Sequence, residues 1–161
     1  MSYKTKRDIT NVIAGVILLI AYIIYASGPD APAPEDLKGW AVLMLMFIGF
    51  GIVVMIITQI IFHIVLSIGI TMNEANGIDE NVERIIDSLS LEDEMDELIN
   101  LKALRVGYVF AGIGFLAALL ALAFDANAVT MLNMLFGSFI IATLAERTYS
   151  AYLYEKGVKN V

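Results

Sequence analysis

The stretch NEANGIDENVERIIDSLSLEDEMDELINLKALR, from Asn73 to Arg105, decides how the chain is organised. It holds ten of the seventeen acidic residues, yet two long apolar runs precede it and two more follow it. Each run is long enough to cross a bilayer, which takes about 20 predominantly apolar residues in a helix. The stretch is therefore predicted to be a soluble segment held by two pairs of membrane helices.

The composition of the 161 residues indicates an integral membrane protein with room for a single domain, residues 1–161. Hydrophobic residues make up 59% of the chain, against about 45–50% in an ordinary soluble domain, and the mean hydropathy is +0.78. The net charge of −7 argues against nucleic acid as a direct partner, because phosphate binding needs a basic surface. The absence of cysteine excludes disulfides, thiolate metal sites and cysteine nucleophiles.

Four membrane spans are predicted, over about residues 9–26, 40–63, 106–124 and 129–147. The second lies in a run of 33 residues, from Trp40 to Met72, that has no charged side chain while His63 is neutral. As a helix this run would be roughly 50 Å long, against a hydrocarbon core of about 30 Å. Residues 64–72 are therefore predicted to continue as a helix beyond the membrane.

The ends of these helices carry recognisable signals. Three prolines interrupt the chain between spans one and two, and Pro34-Glu35-Asp36 suits the first turn of a new helix. The segment from Asp125 to Ala128 is a tight turn, which makes spans three and four antiparallel neighbours. Gly157 is a predicted C-cap.

The acidic stretch is predicted to be helical because its apolar residues recur at helical spacing. One helix carries Ile78, Val82, Ile85, Ile86 and Leu89, and a second begins at the N-cap Ser90 and leads without a breaker into span three. The predicted fold is therefore an all-α integral membrane four-helix bundle, with a cytoplasmic acidic helical subdomain over residues 64–105.

The basic residues predict the orientation of the spans in the cell membrane. With both termini in the cytoplasm, only Lys38 of the ten basic residues lies outside. The nine cytoplasmic ones are then Lys4, Lys6, Arg7, Arg84, Lys102, Arg105, Arg147, Lys156 and Lys159. The acidic stretch would also be cytoplasmic.

Small residues on one face of span three predict a close helix contact. They are Gly107, Ala111, Gly114 and Ala118, spaced three or four apart. In lipid such a face lets two backbones approach and gain dispersion contacts. Packing against span two or four within the chain is the favoured interpretation, and a homodimer face is the alternative.

Four polar residues near the cytoplasmic ends of the spans form a candidate cluster. Gln59 and His63 share one face of span two, and Arg105 and Glu146 lie at the same depth in spans three and four. Polar groups in or near a membrane are costly, and are therefore candidates for function. Hydrogen bonding between helices is the favoured interpretation, with Glu146 held by Arg105 or His63, and a proton-linked site is the alternative.

The acidic run before span three is a candidate docking surface for a partner, through Glu92, Asp93, Asp96 and Glu97. It lacks the glycine-containing loop with which an EF-hand wraps calcium, so a solvated acidic face is favoured over a cation site. The anionic cytoplasmic leaflet repels such helices, so their apolar faces are expected to rest on protein. The sequence shows no phosphate loop, nucleophile elbow or pair of histidines at ligand spacing, and no enzymatic activity, metal or cofactor is predicted.

The run from Glu92 to Arg105, followed by Tyr108, resembles a group of small uncharacterised four-span membrane proteins of bacteria and archaea. Those proteins have an "acidic-Glu-Arg-Asp-x-Leu-Ile-x-Leu-Lys-x-x-Arg" segment before the third span. The runs Gln59–His63 and Tyr152–Gly157 are similar to further parts of the group's pattern, whereas Met95 stands where the group has arginine. Such proteins are often encoded beside small helix-turn-helix regulators, so the resemblance implies a regulatory role by association and no activity.

Two functions are therefore expected as alternatives. The favoured one is a membrane-anchored interaction or regulatory protein that docks a protein partner, or a second copy of itself, through its acidic cytoplasmic helices. The other is a small transporter or an immunity-type membrane protein with a polar path at Gln59, His63 and Glu146.

Overall fold

A computed structural model describes residues 3–73 and 94–157 of the chain. These residues form four α-helices and no strand: α1 (Tyr3–Ala26), α2 (Leu37–Asn73), α3 (Glu94–Ala123) and α4 (Ala128–Lys156). All four are long and apolar enough to cross a membrane. The prediction of an all-helical chain with four candidate spans is thus confirmed. The predicted helix over residues 78–89 and its neighbouring cap at Ser90 lie outside the described residues.

The helices reach further than the predicted spans. Helix α1 begins at Tyr3 and not near Ile9, so it includes the basic residues at its start. Helix α2 is continuous over 37 residues and confirms that residues 64–72 are helical. Helix α3 already includes the end of the acidic run, as predicted for a helix that leads into span three.

Side-chain and backbone hydrogen bonds fix the helix ends between α1 and α2. Helix α2 begins at Leu37 and not at Pro34, because the carboxylate of Asp36 accepts a hydrogen bond of 2.9 Å from the Gly39 amide and so caps the first turn. The indole of Trp40 donates to the carbonyl of Ala33 at 3.1 Å, which ties the proline-rich loop to the new helix.

The turn between α3 and α4 is as short as predicted. Asp125 has a positive φ of 64°, and the side chain of Asn127 caps α4 by accepting a 2.7 Å hydrogen bond from the Thr130 amide. At the other end of α4, the amide of Gly157 donates to the Leu153 carbonyl at 2.9 Å, with a φ of 75° at the glycine. The C-cap prediction for Gly157 is confirmed, since glycine adopts such a φ without steric cost.

The helices pack as an open bundle. Helix α3 packs most extensively on α4, α4 also packs along α1, and α2 lies mainly against α1 with a smaller contact to α4. The small-residue face of α3 makes the first of these contacts: Gly107 and Ala118 are buried, and Gly114 lies against Ser138 of α4. The face is therefore used within the chain, which is the favoured of the two predicted arrangements.

An aromatic core closes the end of the molecule where α1 ends and α2 and α4 begin. Tyr22, Trp40 and Val129 are buried there, and the Tyr22 ring meets Phe47 edge-on at 5.2 Å between centroids. The Tyr22 hydroxyl donates to Oδ1 of Asn133 on α4 at 2.6 Å. Tyr22 lies near the end of α1 and Asn133 near the beginning of α4, as expected for two antiparallel helices.

Candidate functional site

Polar side chains of three helices meet at the opposite end, where α1 and α3 begin and α4 ends. We call them the polar cluster: Lys4, Asp8, Asp96, Arg147, Ser150 and Tyr154. Asp8, Asp96 and Ser150 are buried, although acidic residues seldom are unless they are paired. The polar cluster therefore contains two buried carboxyl groups, Asp8 and Asp96.

One half of the polar cluster joins α1 to α3. Lys4 Nζ forms an ion pair with Asp96 Oδ2, and the two side chains are only 12% and 8% exposed. The Tyr154 hydroxyl of α4 donates a hydrogen bond to the same carboxylate. Asp96 thus links all three helices, and the paired lysine and hydroxyl offset the cost of burying its charge.

The other half joins α1 to α4 through Asp8, whose side chain is 1% exposed. The Ser150 hydroxyl donates to Asp8 Oδ2 at 2.6 Å. Asp8 Oδ1 lies 3.9 Å from Arg147 Nη1 and 4.0 Å from Arg7 Nε, and these two ion pairs lie beyond hydrogen-bond distance. Two guanidinium groups therefore stabilise one buried carboxylate electrostatically.

The helical period explains why these residues converge. Lys4, Asp8 and Asn11 follow one another at spacings of four and three on α1, and Arg147, Ser150 and Tyr154 follow at three and four on α4. Because the two helices are antiparallel, the two stripes face each other, with Asp8 against Ser150 and Arg147. From the sequence, the basic residues at the start of α1 indicated only orientation, and the face that Lys4 and Asp8 share with the buried core was missed.

The polar cluster holds α1, α3 and α4 together but lacks the groups for metal binding. In residues 3–73 and 94–157 there is no set of three or more His, Asp or Glu side chains that could hold a metal ion. Its charged groups form ion pairs with one another, although Asp8 Oδ1 is buried without a hydrogen bond. The polar cluster therefore stabilises the packing of these three helices by electrostatic attraction.

The four polar residues that the sequence predicted to form a cluster lie in different surroundings. They are Gln59, His63, Arg105 and Glu146. Gln59 and His63 are exposed on α2, whose main neighbour is α1. Glu146 is partly buried and lies over Gly107 of α3, and its Oε1 is 3.9 Å from Nη2 of Arg147. Among the described residues, the ion-pair partner of Glu146 is thus its neighbour Arg147 on α4.

Arg105 is exposed and takes part in none of the ion pairs found in the described parts of the chain. Its predicted pairing with Glu146 was based on equal depth alone. The helix face decides against it: Gly107 points at Glu146, and Arg105, two residues earlier, lies about 200° away around the helix.

Two of the four predicted docking residues, Asp96 and Glu97, lie among the described residues. Glu97 is exposed, as is Glu94 beside it, and both acids lie in the first turn of α3, where the helix dipole favours negative charge. Asp96 is 6% exposed and occupied by the polar cluster, which corrects its assignment to the docking surface. Glu92 and Asp93 lie outside the described residues.

A cavity of about 240 Å³ lies between α1, α2 and α4. Its wall is apolar apart from Asn11, Thr143 and Arg147. Arg147 therefore belongs both to the polar cluster and to the wall of the cavity. Gln59, His63 and Glu146 are not part of that wall.

Comparisons with known proteins give no match. No family model, curated protein or solved structure matches this chain.

Proposed function

We propose that the chain is a multi-pass protein of the cell membrane that presents an acidic cytoplasmic surface to a protein partner. Four helices of suitable length and hydropathy support the membrane placement. The distribution of lysine and arginine supports a cytoplasmic position for both termini and for residues 64–105. The resemblance of Glu92–Arg105 to four-span proteins encoded beside regulators agrees with a regulatory role.

The position of Asp96 is the observation that carries this proposal. Because Lys4 and Tyr154 hold Asp96 inside, the first turn of α3 has a fixed rotation, with Glu94 and Glu97 facing outward. The part of the acidic run from Glu94 onward is thus anchored by two other helices. A surface fixed in this way loses little conformational entropy when it binds a partner.

The transport alternative has less support. A polar path would need Gln59, His63 and Glu146 around a common space, and the cavity between α1, α2 and α4 is bounded by other residues. Its wall is apolar over most of its area, which favours an apolar occupant over an aqueous path.

Single-cysteine labelling tests the orientation, and the natural absence of cysteine makes each variant free of background. In intact cells, a membrane-impermeant maleimide should modify Ser27→Cys and leave Lys6→Cys and Glu97→Cys unmodified, because of these three positions only Ser27 lies in a segment that faces outward. After the cells are opened, all three should react. Modification of Glu97→Cys from outside would contradict the orientation.

Charge reversal tests the docking surface. Glu94→Lys with Glu97→Lys should reduce capture of the partner from native membranes by more than about tenfold, since like charges across an interface cost several kcal/mol. The matched control is Asp30→Lys with Glu35→Lys, two exposed acids on the opposite side with the same change in net charge. If no protein is captured in a manner that depends on Glu94 and Glu97, the docking proposal fails.

A further inference from the structure

We propose that the cavity between α1, α2 and α4 binds one phospholipid molecule, with an acyl chain inside the cavity and the phosphate group at Asn11 and Arg147. The proposal rests on the membrane placement argued above, and it does not depend on the acidic docking surface. Three observations support it: the buried Asn11 amide, which has no hydrogen bond to the described residues, the Arg147 guanidinium group, which has no short hydrogen bond, and the dimensions of the apolar wall.

Asn11 is the first observation. It is 6% exposed, it lies in the cavity wall, and its side chain makes no hydrogen bond to the described parts of the chain. A buried amide without a partner costs free energy, so native structures nearly always supply one. The accessible side of this amide is the cavity, and a phosphate oxygen there would accept the hydrogen bond from Nδ2.

Arg147 supplies the second group of donors. Its Nε is buried without a hydrogen bond, and its Nη atoms reach carboxylates of Asp8 and Glu146 only at 3.9 Å. Five N–H donors therefore have no short acceptor among the described residues, and a guanidinium group matches phosphate geometry. Asp8 and Glu146 balance Arg7 and Arg147 in charge, so the site selects a hydrogen-bond acceptor and not a high negative charge. The phosphodiester common to all phospholipids meets that requirement.

The apolar wall accounts for the acyl chain. It extends from Arg147 to Phe136 along α4, eleven helical steps or roughly 16 Å at the helical rise. Its volume of about 240 Å³ exceeds the roughly 150 Å³ at which an apolar protein cavity stays dry and takes up benzene. Because the cavity is partly open at the side, the second acyl chain can remain in the bilayer.

Native mass spectrometry of the full chain in detergent tests the proposal. The delipidated protein is titrated with dioleoyl phosphatidylglycerol and, in a separate arm, with dioleoylglycerol. We expect one phosphatidylglycerol to bind before any others and dioleoylglycerol to bind at least about tenfold more weakly, because it has the same acyl chains and no phosphate. Ala14→Phe fills the cavity and should abolish the first binding step. Ile13→Phe, on the exposed side of the same helix turn, should bind as the wild type does.

Asn11→Leu keeps the shape of the cavity and removes one donor, so it should weaken the first binding step by about threefold to tenfold. It also decides the outcome if Ala14→Phe does not fold by circular dichroism. The proposal is overturned by a wild type without a preferred first lipid, by equal affinity for dioleoylglycerol, or by unchanged binding in folded Asn11→Leu or Ala14→Phe. Labelling of Ser27→Cys reports membrane placement separately, so a failed titration leaves that placement intact.

Discussion

Lys4→Met is expected to lower the free energy of unfolding by about 3–5 kcal/mol, the usual cost of breaking a buried ion pair from one side. The methionine keeps the apolar stem of the side chain but removes the cation that forms an ion pair with the Asp96 carboxylate. Because Asp96 is 6% exposed, water replaces the lost lysine poorly. Thermal unfolding in detergent, followed by circular dichroism, measures the loss.

Lys6→Met is the matched control, since it removes the same charge from an exposed position on the same helix. Its effect should stay within about 0.5 kcal/mol, as for most surface substitutions. Combining Lys4→Met with Asp96→Leu should cost less than the sum of the single losses, because the uncompensated charge is then gone. Strictly additive losses would show that the two side chains do not interact.

Gly114→Ala is expected to have the second largest effect. A Cβ at this position would overlap the Cβ of Ser138 and lie 2.6 Å from its Oγ, with the Ser138 Cα at 3.4 Å. The Cβ of Ser138 is bonded directly to the backbone, so rotation of the Ser138 side chain does not relieve the overlap. Helix α3 must therefore move away from α4. Overpacking of this kind costs about 1–3 kcal/mol, and it weakens the most extensive helix contact in the chain.

Gly112→Ala distinguishes this effect from a change in helix propensity. Both glycines lie inside α3, and alanine favours the helix by up to about 1 kcal/mol at either site. No atom lies within 4 Å of a Cβ added at Gly112, so this variant should be as stable as the wild type or more stable. Thermal unfolding of the two variants side by side is the measurement. Equal melting temperatures would show that the α3 and α4 backbones are not in close contact at Gly114.

In residues 3–73 and 94–157 the sequence was sufficient to predict the number and kind of the elements. Four apolar runs separated by prolines, an acidic stretch and a four-residue turn predicted four helices, and Gly157 was correctly predicted to end the last of them. Helix α1 begins before the predicted span, because hydropathy falls at Lys4 to Asp8 whereas the helix continues through them. Those residues remain helical because their side chains find partners on α3 and α4.

The candidate site was harder to predict because its contacts join distant parts of the chain. Lys4 and Asp96 are 92 positions apart, and Asp8 and Ser150 are 142 apart. Nothing in the local acidic run distinguishes Asp96 from Glu94 or Glu97. The helical period does distinguish it: continuing the small-residue face of α3 backwards from Gly107 leads through Ala103 and Ile99 to Asp96, and all of these are buried.

The polar cluster also bears on the order in which the chain can be assembled. During synthesis α1 emerges before α3 and α4, so Asp8 and Lys4 can meet Ser150 and Asp96 only after α3 and α4 have been made. Helices α3 and α4, joined by a short turn, can pair with each other as soon as both exist. Helix α1 therefore completes its contacts only after α4 has been made. A chain that stops before Arg147 leaves Asp8 without its partners on α4. In such an incomplete chain Asp8 would keep Arg7 as a neighbour on its own helix but would lack the Ser150 hydroxyl and the Arg147 guanidinium group.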